Sequence, residues 1–277
     1  MKYLFFLPLL ISSLTNAQTL SDTKNSVAFI YIKDSLGNFL PNGTCFIIGK
    51  KVKEDTTLIQ PFLVTAKHVL QKSDGSFFKE IFIRMNTKDS NSRLIYYPID
   101  TSKLHATVIL HPDESVDIAL LTLSSSKTDY DFKYIPESLL LDRITFKSLK
   151  IEEGTEAFFV GLFSPYQGIH KIYPIFRFGH IALKTNEKIF WVDKMREMLL
   201  FEVSSYGGNS GSPVFLLVNM PDGRTHLVLA GILSGTFRDA ADIEVISTSG
   251  TPVALYNNGI SGVTPSYLLR DILLSIR

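Results

Sequence analysis

From residue 26 onward the chain places its apolar side chains in short runs with β-branched and aromatic content, separated by turn residues. In the first half these runs are Ser26 to Ile32, Thr44 to Ile48, Thr57 to Thr65, Ile81 to Met85, Ala106 to His111 and Ile118 to Leu123. Ser35-Leu36-Gly37-Asn38, Pro41-Asn42-Gly43 and Ser73-Asp74-Gly75 punctuate them with turn chemistry. The second half repeats the texture in Glu156 to Gly161, Phe176 to Leu183, Lys188 to Val192, Leu199 to Val203, Pro213 to Val218 and His226 to Leu233. Strand-length runs without helical periodicity between them predict an all-β barrel or sandwich. One segment departs from this. Leu268, Leu269, Ile272, Leu273 and Ile276 recur at helical spacing behind Thr264 as N-cap and Pro265 as first helical residue, predicting a C-terminal helix with one apolar face.

The first residues follow a different logic. Lys2 gives a positive start, Leu4 to Leu14 is apolar apart from Pro8 and two Ser, and Thr15-Asn16-Ala17 supplies small residues at the positions a signal peptidase reads. Residues 1–17 are therefore expected to be a signal peptide, because so short an apolar stretch falls well below the ~20 residues a spanning helix needs. The mature chain would begin at Gln18 and would be secreted or periplasmic; Gln18 to Asn25 would form a tail, which its polarity favours, or tuck against the second half near the pocket.

Composition narrows the function. The 277 residues are 45% apolar and 20% charged, with 28 Lys and Arg against 27 Asp and Glu. Without a basic stripe there is no electrostatic footprint for nucleic acid or an anionic membrane, so neither is expected as a partner. The single cysteine, Cys45, sits in an apolar strand run and has no partner for an intrachain disulfide. His105 and His111 match no familiar ligand spacing, and no metal site is expected. His170, His180 and His226 have no companions that suggest proton transfer.

Three motifs carry chemistry, and their order matters most. Thr65-Ala66-Lys67-His68-Val69 ends a strand run with a His, Ser115-Val116-Asp117-Ile118 opens one with an Asp, and Gly207-Gly208-Asn209-Ser210-Gly211-Ser212-Pro213 sets a Ser in a glycine-rich turn. A Ser hydroxyl becomes an effective nucleophile when an imidazole takes its proton, and the imidazole needs a buried carboxylate to hold its tautomer. Those roles fall to Ser210, His68 and Asp117, with the backbone N–H groups of Gly208 and Ser210 as donors to the oxyanion. Asp113, in turn-like sequence after Pro112, is the neighbouring alternative carboxylate and is expected to be solvated. His, then Asp, then Ser is the chymotrypsin-like order, and the α/β-hydrolase elbow fails because Ser212 stands where it needs a Gly.

On these residues the chain resembles the trypsin-like serine peptidases. GGNSGSPVF from Gly207 to Phe215, together with TAKHV from Thr65 to Val69, is similar to the bacterial glutamyl endopeptidase branch. The resemblance implies two antiparallel six-stranded β-barrels and a C-terminal α-helix, with residues 18–145 carrying His68 and Asp117 and residues 146–277 carrying Ser210. Ser124 to Lys150 is read as the connection between them. It implies a serine endopeptidase acting on a protein or peptide substrate without metal or organic cofactor. By the family pattern Ser204 lies at the floor of the specificity pocket, Ser205 on its wall, and Gly231 to Gly235 along its edge, with Ser234 and Gly235 binding substrate.

Two departures qualify this pattern. Asn209 stands where trypsin-like zymogens carry an activating Asp, so competence after signal removal alone is expected. Leu233 replaces the His by which the glutamyl branch binds its acidic substrate, which makes small or apolar preference at least as consistent as glutamate. No C-terminal PDZ module is expected, and a monomer is expected. The alternatives from other classes are a non-catalytic trypsin-like module binding protein or peptide in the same cleft, and an esterase using the same triad. Trp191 is expected in a barrel core, Tyr206 in the cleft, and the irregular stretch Ser164 to Tyr173 near substrate.

Overall fold

The structure, a computed structural model, describes residues 20–276 except 54, 56, 103, 124–127, 150, 220–222 and 243–252. Residues 1–17, read above as a signal peptide, lie outside the described residues. Where a tail was expected, a short helix α1 (Leu20–Asn25) forms, with Thr23 fully buried and the Ser26 hydroxyl donating to the Thr23 carbonyl at 2.7 Å.

The first half contains β1 (Val27–Lys33), β2 (Phe39–Lys51), β3 (Ile59–Thr65), β4 (Glu80–Asn86), β5 (Ser92–Pro98), β6 (Val108–Leu110), β7 (Ala119–Thr122) and β8 (Ile135–Pro136). They form one curled eight-stranded sheet in the order β5-β4-β1-β2-β3-β7-β6, with β8 lying parallel on β2. Phe29, Phe46 and Leu120 are buried on one of its faces, and Ile47 and Leu63 on the other. Contrary to expectation the sheet does not close into a barrel. Its edges β5 and β6 are joined through Thr107, whose N–H reaches the Asp100 carbonyl at 2.8 Å and whose hydroxyl reaches the Pro98 carbonyl at 2.7 Å. Proline at 98 offers no N–H for a ladder, and β6 is only three residues long.

After α2 (Arg143–Ser148), capped by the Asp142 carboxylate on Thr145 N–H, come β9 (Glu156–Gly161), β10 (Ile175–Lys184), β11 (Ile189–Trp191), β12 (Lys194–Arg196), β13 (Leu199–Glu202), β14 (Pro213–Asn219), β15 (Thr225–Asp242) and β16 (Val253–Pro265). The second half does close, in the order β10-β13-β16-β15-β14-β9. Its core is aromatic: Phe158, Phe159, Phe201 and Phe215 are buried, and Phe158 stacks on Phe215 with ring centroids 5.2 Å apart.

Two expectations are corrected here. The Lys188 to Val192 run is not a barrel strand but half of a separate hairpin, β11–β12, and the sixth barrel strand is β16. Trp191 accordingly leaves the barrel core for the hairpin. The C-terminal helix α3 (Ser266–Ser275) begins one residue later than predicted, with Pro265 as N-cap and Thr264 still in β16. It buries Leu268, Leu269, Ile272 and Leu273, and Lys50 of β2 donates to the Ile276 carbonyl at 2.5 Å, tying the helix end to the first sheet.

Cys45 on β2 is fully buried, its Sγ 3.7 Å from the Ala28 carbonyl, and burial pushes its thiol pKa well up. The Ser164 to Tyr173 stretch straps the second half to the first. Arg84 donates to the carbonyls of Gly168 and Ile169 at 2.9 Å each, and Tyr31 donates to the Gln167 side chain at 2.6 Å.

Deleting a ring from so full a core leaves a cavity that the barrel cannot collapse. Phe158→Ala should therefore cost about 3–5 kcal/mol, read as a lower urea midpoint at unchanged slope.

Candidate active site

β3 runs straight into a 3-10 turn, Lys67–Leu70, that carries His68. Ala66, Val69 and Leu70 are buried and anchor the turn, leaving the His68 imidazole half-exposed at the rim. Asp117 precedes β7 and is 1% exposed. Its two oxygens divide the work: Oδ2 lies 2.8 Å from His68 Nδ1 and Oδ1 accepts from the His68 backbone N–H at 3.0 Å. One carboxylate thus fixes both the ring and the chain that carries it. Asp113, the neighbouring alternative, is half-exposed, pairs with Lys188 at 3.7 Å and accepts from Ser115 N–H.

The electrostatics follow. Burial alone would drive the His68 pKa down, but the adjacent Asp117 charge and hydrogen bond outweigh it, leaving it above its usual 6.5. For Asp117, burial acts upward and the His68 charge and hydrogen bonds act downward, with the net result below the usual 3.8. A raised His value stabilises the fold fully below pH 6.5 and ceases to do so as pH rises through the folded-state pKa. The lowered Asp value contributes above pH 3.8 and is lost as pH falls through its folded value.

Ser210 enters the same cavity, of about 650 Å³, from the turn before β14. Its hydroxyl donates to the Ser234 carbonyl at 3.1 Å, and no hydrogen bond joins it to His68. The peptide planes of this turn are fixed. Ser164 donates to the Gly207 carbonyl at 2.8 Å and Ser212 N–H to the Asn209 carbonyl at 3.0 Å. Since no peptide here is cis, the N–H groups of Gly208 and Ser210 point away from those held carbonyls. Neither N–H has a protein acceptor among the described residues. Gly208 takes φ +92° and Gly211 φ +88°; a Cβ at Gly211 would collide with the Thr44 carbonyl and the Thr65 hydroxyl.

Asn209 is buried and fully used: its side-chain oxygen accepts from Tyr206 N–H at 2.8 Å and its amide donates to the Leu162 carbonyl. A carboxylate there would face that carbonyl without a proton to offer. Across the junction, Thr44 of β2 donates its hydroxyl to the Gly208 carbonyl at 2.8 Å, accepts from Leu162 N–H at 3.0 Å, and gives its own N–H to the Ser210 carbonyl at 2.9 Å. Sequence reading passed over Thr44; its place directly before Cys45 carries no motif that marks it.

The residues named for substrate binding separate into two groups. Ser234 and Gly235 line the cavity that holds His68 and Ser210. Ser234 Oγ itself is 2.8 Å from Thr264 Oγ1, and Leu233 is in the barrel core. Ser204 is exposed, whereas Ser205 is buried with its hydroxyl 2.7 Å from that of Ser261. Tyr206 lies outside the cavity, under the Arg177 guanidinium at 4.9 Å from its ring centre. The hairpin β11–β12, unforeseen as a cavity wall, contributes Trp191, Asp193 and Arg196. Among the described residues no group of three His, Cys, Asp or Glu is arranged to hold a metal.

A closed six-stranded barrel beside a curled sheet, with this site at their junction, defines a chymotrypsin-like fold. The trypsin-like peptidase domain family matches residues 43–224, and the chain belongs to that family. No curated protein matches the sequence. Among solved structures it is similar to the apo MamO protease domain from Magnetospirillum magneticum, at 15% identity and TM-score 0.51 over 90% of this chain and 96% of that one. It is also similar to Rv3671c from M. tuberculosis H37Rv, at 14% identity and TM-score 0.47 over 96% of this chain and 94% of that one. At 15% identity the likeness to the MamO domain is one of fold.

His68 in the intact protein should titrate above 6.5 by NMR, and Asp117→Asn should lower that midpoint. A midpoint unmoved by the substitution would mean that the carboxylate does not set the charge of the ring.

Proposed function

We propose that the chain is an exported serine endopeptidase working through Ser210, His68 and Asp117. The observation that carries this reading is the His68 Nδ1 to Asp117 Oδ2 contact of 2.8 Å in the cavity that Ser210 also enters. With Nδ1 committed to Asp117, Nε2 is the nitrogen left to take the Ser210 proton. Ser210 Oγ attacks the peptide carbonyl carbon, its proton passes to His68, and the negative oxygen is received by Gly208 and Ser210 N–H. Collapse breaks the C–N bond as His68 protonates the leaving amine; water, deprotonated by His68, then hydrolyses the ester and restores Ser210. Export rests on the sequence of residues 1–17.

A second reading has one observation in its favour. Ser210 Oγ donates to Ser234 O rather than to His68, an arrangement that suits a module that binds peptide without cutting it. In the catalytic reading the hydroxyl rotates to His68 when substrate enters, a torsion over one staggered barrier.

A fluorophosphonate probe separates the two. Stoichiometric labelling at Ser210, mapped by peptide mass spectrometry and absent in Ser210→Ala and His68→Ala, is the expected result. The labelling rate should climb with pH through the raised His68 pKa, above 6.5, because the neutral imidazole is the base. A folded protein that stays unlabelled would favour the binding module.

Thr44→Val keeps the side-chain shape but leaves the Gly208 carbonyl and Leu162 N–H unpaired, at a cost of about 1–3 kcal/mol. Labelling should slow at least about tenfold, with Thr44→Ser restoring it. Unchanged labelling in a protein of lowered stability would reduce Thr44 to a structural role.

A further inference from the structure

Side chains alternate along a strand, and directly opposed residues of a hairpin share a face. In β11–β12, Ile189 opposes Arg196 and Trp191 opposes Lys194 on one face, while Phe190 opposes Met195 on the other. The second pair is exposed. On the first face Trp191 packs against Gly235 and Gly262 and meets Phe237 edge-on, ring centres 4.4 Å apart. Arg196 shares that face, with a side chain only 14% exposed, and lines the cavity of His68 and Ser210.

This guanidinium has donors to spare. Among the described residues its hydrogen bond is from Nη2 to Asp193 Oδ1 at 3.3 Å, and that carboxylate is 58% exposed. Nε is buried without a partner. The balance of charge in the cavity points the same way: Lys72 and Arg196 line it, and of its two carboxylates Asp117 is taken by His68. The hairpin tip is also strained. Asp193 N–H closes on the Trp191 carbonyl at 2.7 Å, forcing Val192 to φ +58°, an outlier for a β-branched residue. Such strain persists where the surrounding structure holds it, which here is the anchored Trp191 that sets Arg196 at the cavity wall.

We propose that Arg196 is a specificity residue that receives the carboxylate of an Asp or Glu in a peptide laid along Ser234 to Phe237, displacing Asp193. This rests on the peptidase reading of the cavity. A planar guanidinium binds a carboxylate through two parallel N–H···O bonds, and the incoming side chain supplies acceptors to donors that lack them. The exposed, elongated Asp193 contact gives way readily, since such pairs contribute little. The bound residue flanks the scissile bond at one fixed position, because Arg196 is fixed relative to Ser210.

Cleavage of a mixed peptide library locates that position, and matched peptides with Glu or Gln there measure it. The expected ratio of kcat/KM, Glu over Gln, is about 10- to 100-fold. It should fall to near one in Arg196→Ala, survive in part in Arg196→Lys, and turn toward Lys or Arg peptides in Arg196→Glu. Because each ratio compares two peptides on one protein, any effect of Arg196 on His68 cancels. In parallel, the same library is captured on Ser210→Ala protein, with and without Arg196→Ala, and scored for Asp and Glu over Asn and Gln. Acidic enrichment that needs Arg196, where the unsubstituted protein neither cleaves the library nor labels, upholds the Arg196 site and removes the peptidase reading. Turnover with no acidic preference, a preference that survives Arg196→Ala, or capture without enrichment each overturns the proposal.

Discussion

The arrangement at the junction of the two halves depends on Thr44. Through its side chain and backbone this residue of the first sheet holds the Gly208 carbonyl, the Ser210 carbonyl and Leu162 N–H of the second barrel. Its own carbonyl accepts from the Thr65 hydroxyl at 2.7 Å, on the strand that leads to His68. The nucleophile turn and the imidazole arm, 142 residues apart in the chain, are therefore registered through one residue. The Thr65–Thr44 and Thr44–Leu162 bonds are buried, where an unmade hydrogen bond costs more than a made one contributes.

The one carboxylate sunk into the site, Asp117, has His68 bound to both its oxygens. Where a second carboxylate could have sat, behind the turn, Asn209 instead meets a backbone donor with its oxygen and a backbone acceptor with its amide. A neutral amide needs no counter-ion. The turn is held there by backbone groups of the folded chain.

Much of this was legible from residue pattern, and the misses share a cause. Strand texture and the order of His68, Asp117 and Ser210 are local signals, and the structure gathers those three residues into one cavity. The β16 strand is not among the runs read from the sequence; Asn257-Asn258-Gly259 interrupts it, with Gly259 at φ +87°, and it still pairs with β15 on either side. Trp191 reads as core by composition, yet Gly235 and Gly262 leave bare backbone for it to lie on, a fit between distant glycines that no local pattern contains. The open edge of the first sheet likewise depends on a single proline and a side-chain bridge by Thr107. Thr44 is the sharpest case, since its partners come from residues 65, 162, 208 and 210.

The buried thiol of Cys45 gives the fold a built-in clock. The single cysteine leaves the chain without an intrachain disulfide, and its thiol is buried where β1 and β2 pair. Its reaction with an added disulfide reagent is gated by separation of those strands, and the rate of that reaction in the absence of denaturant measures how often the sheet beneath Thr44 opens.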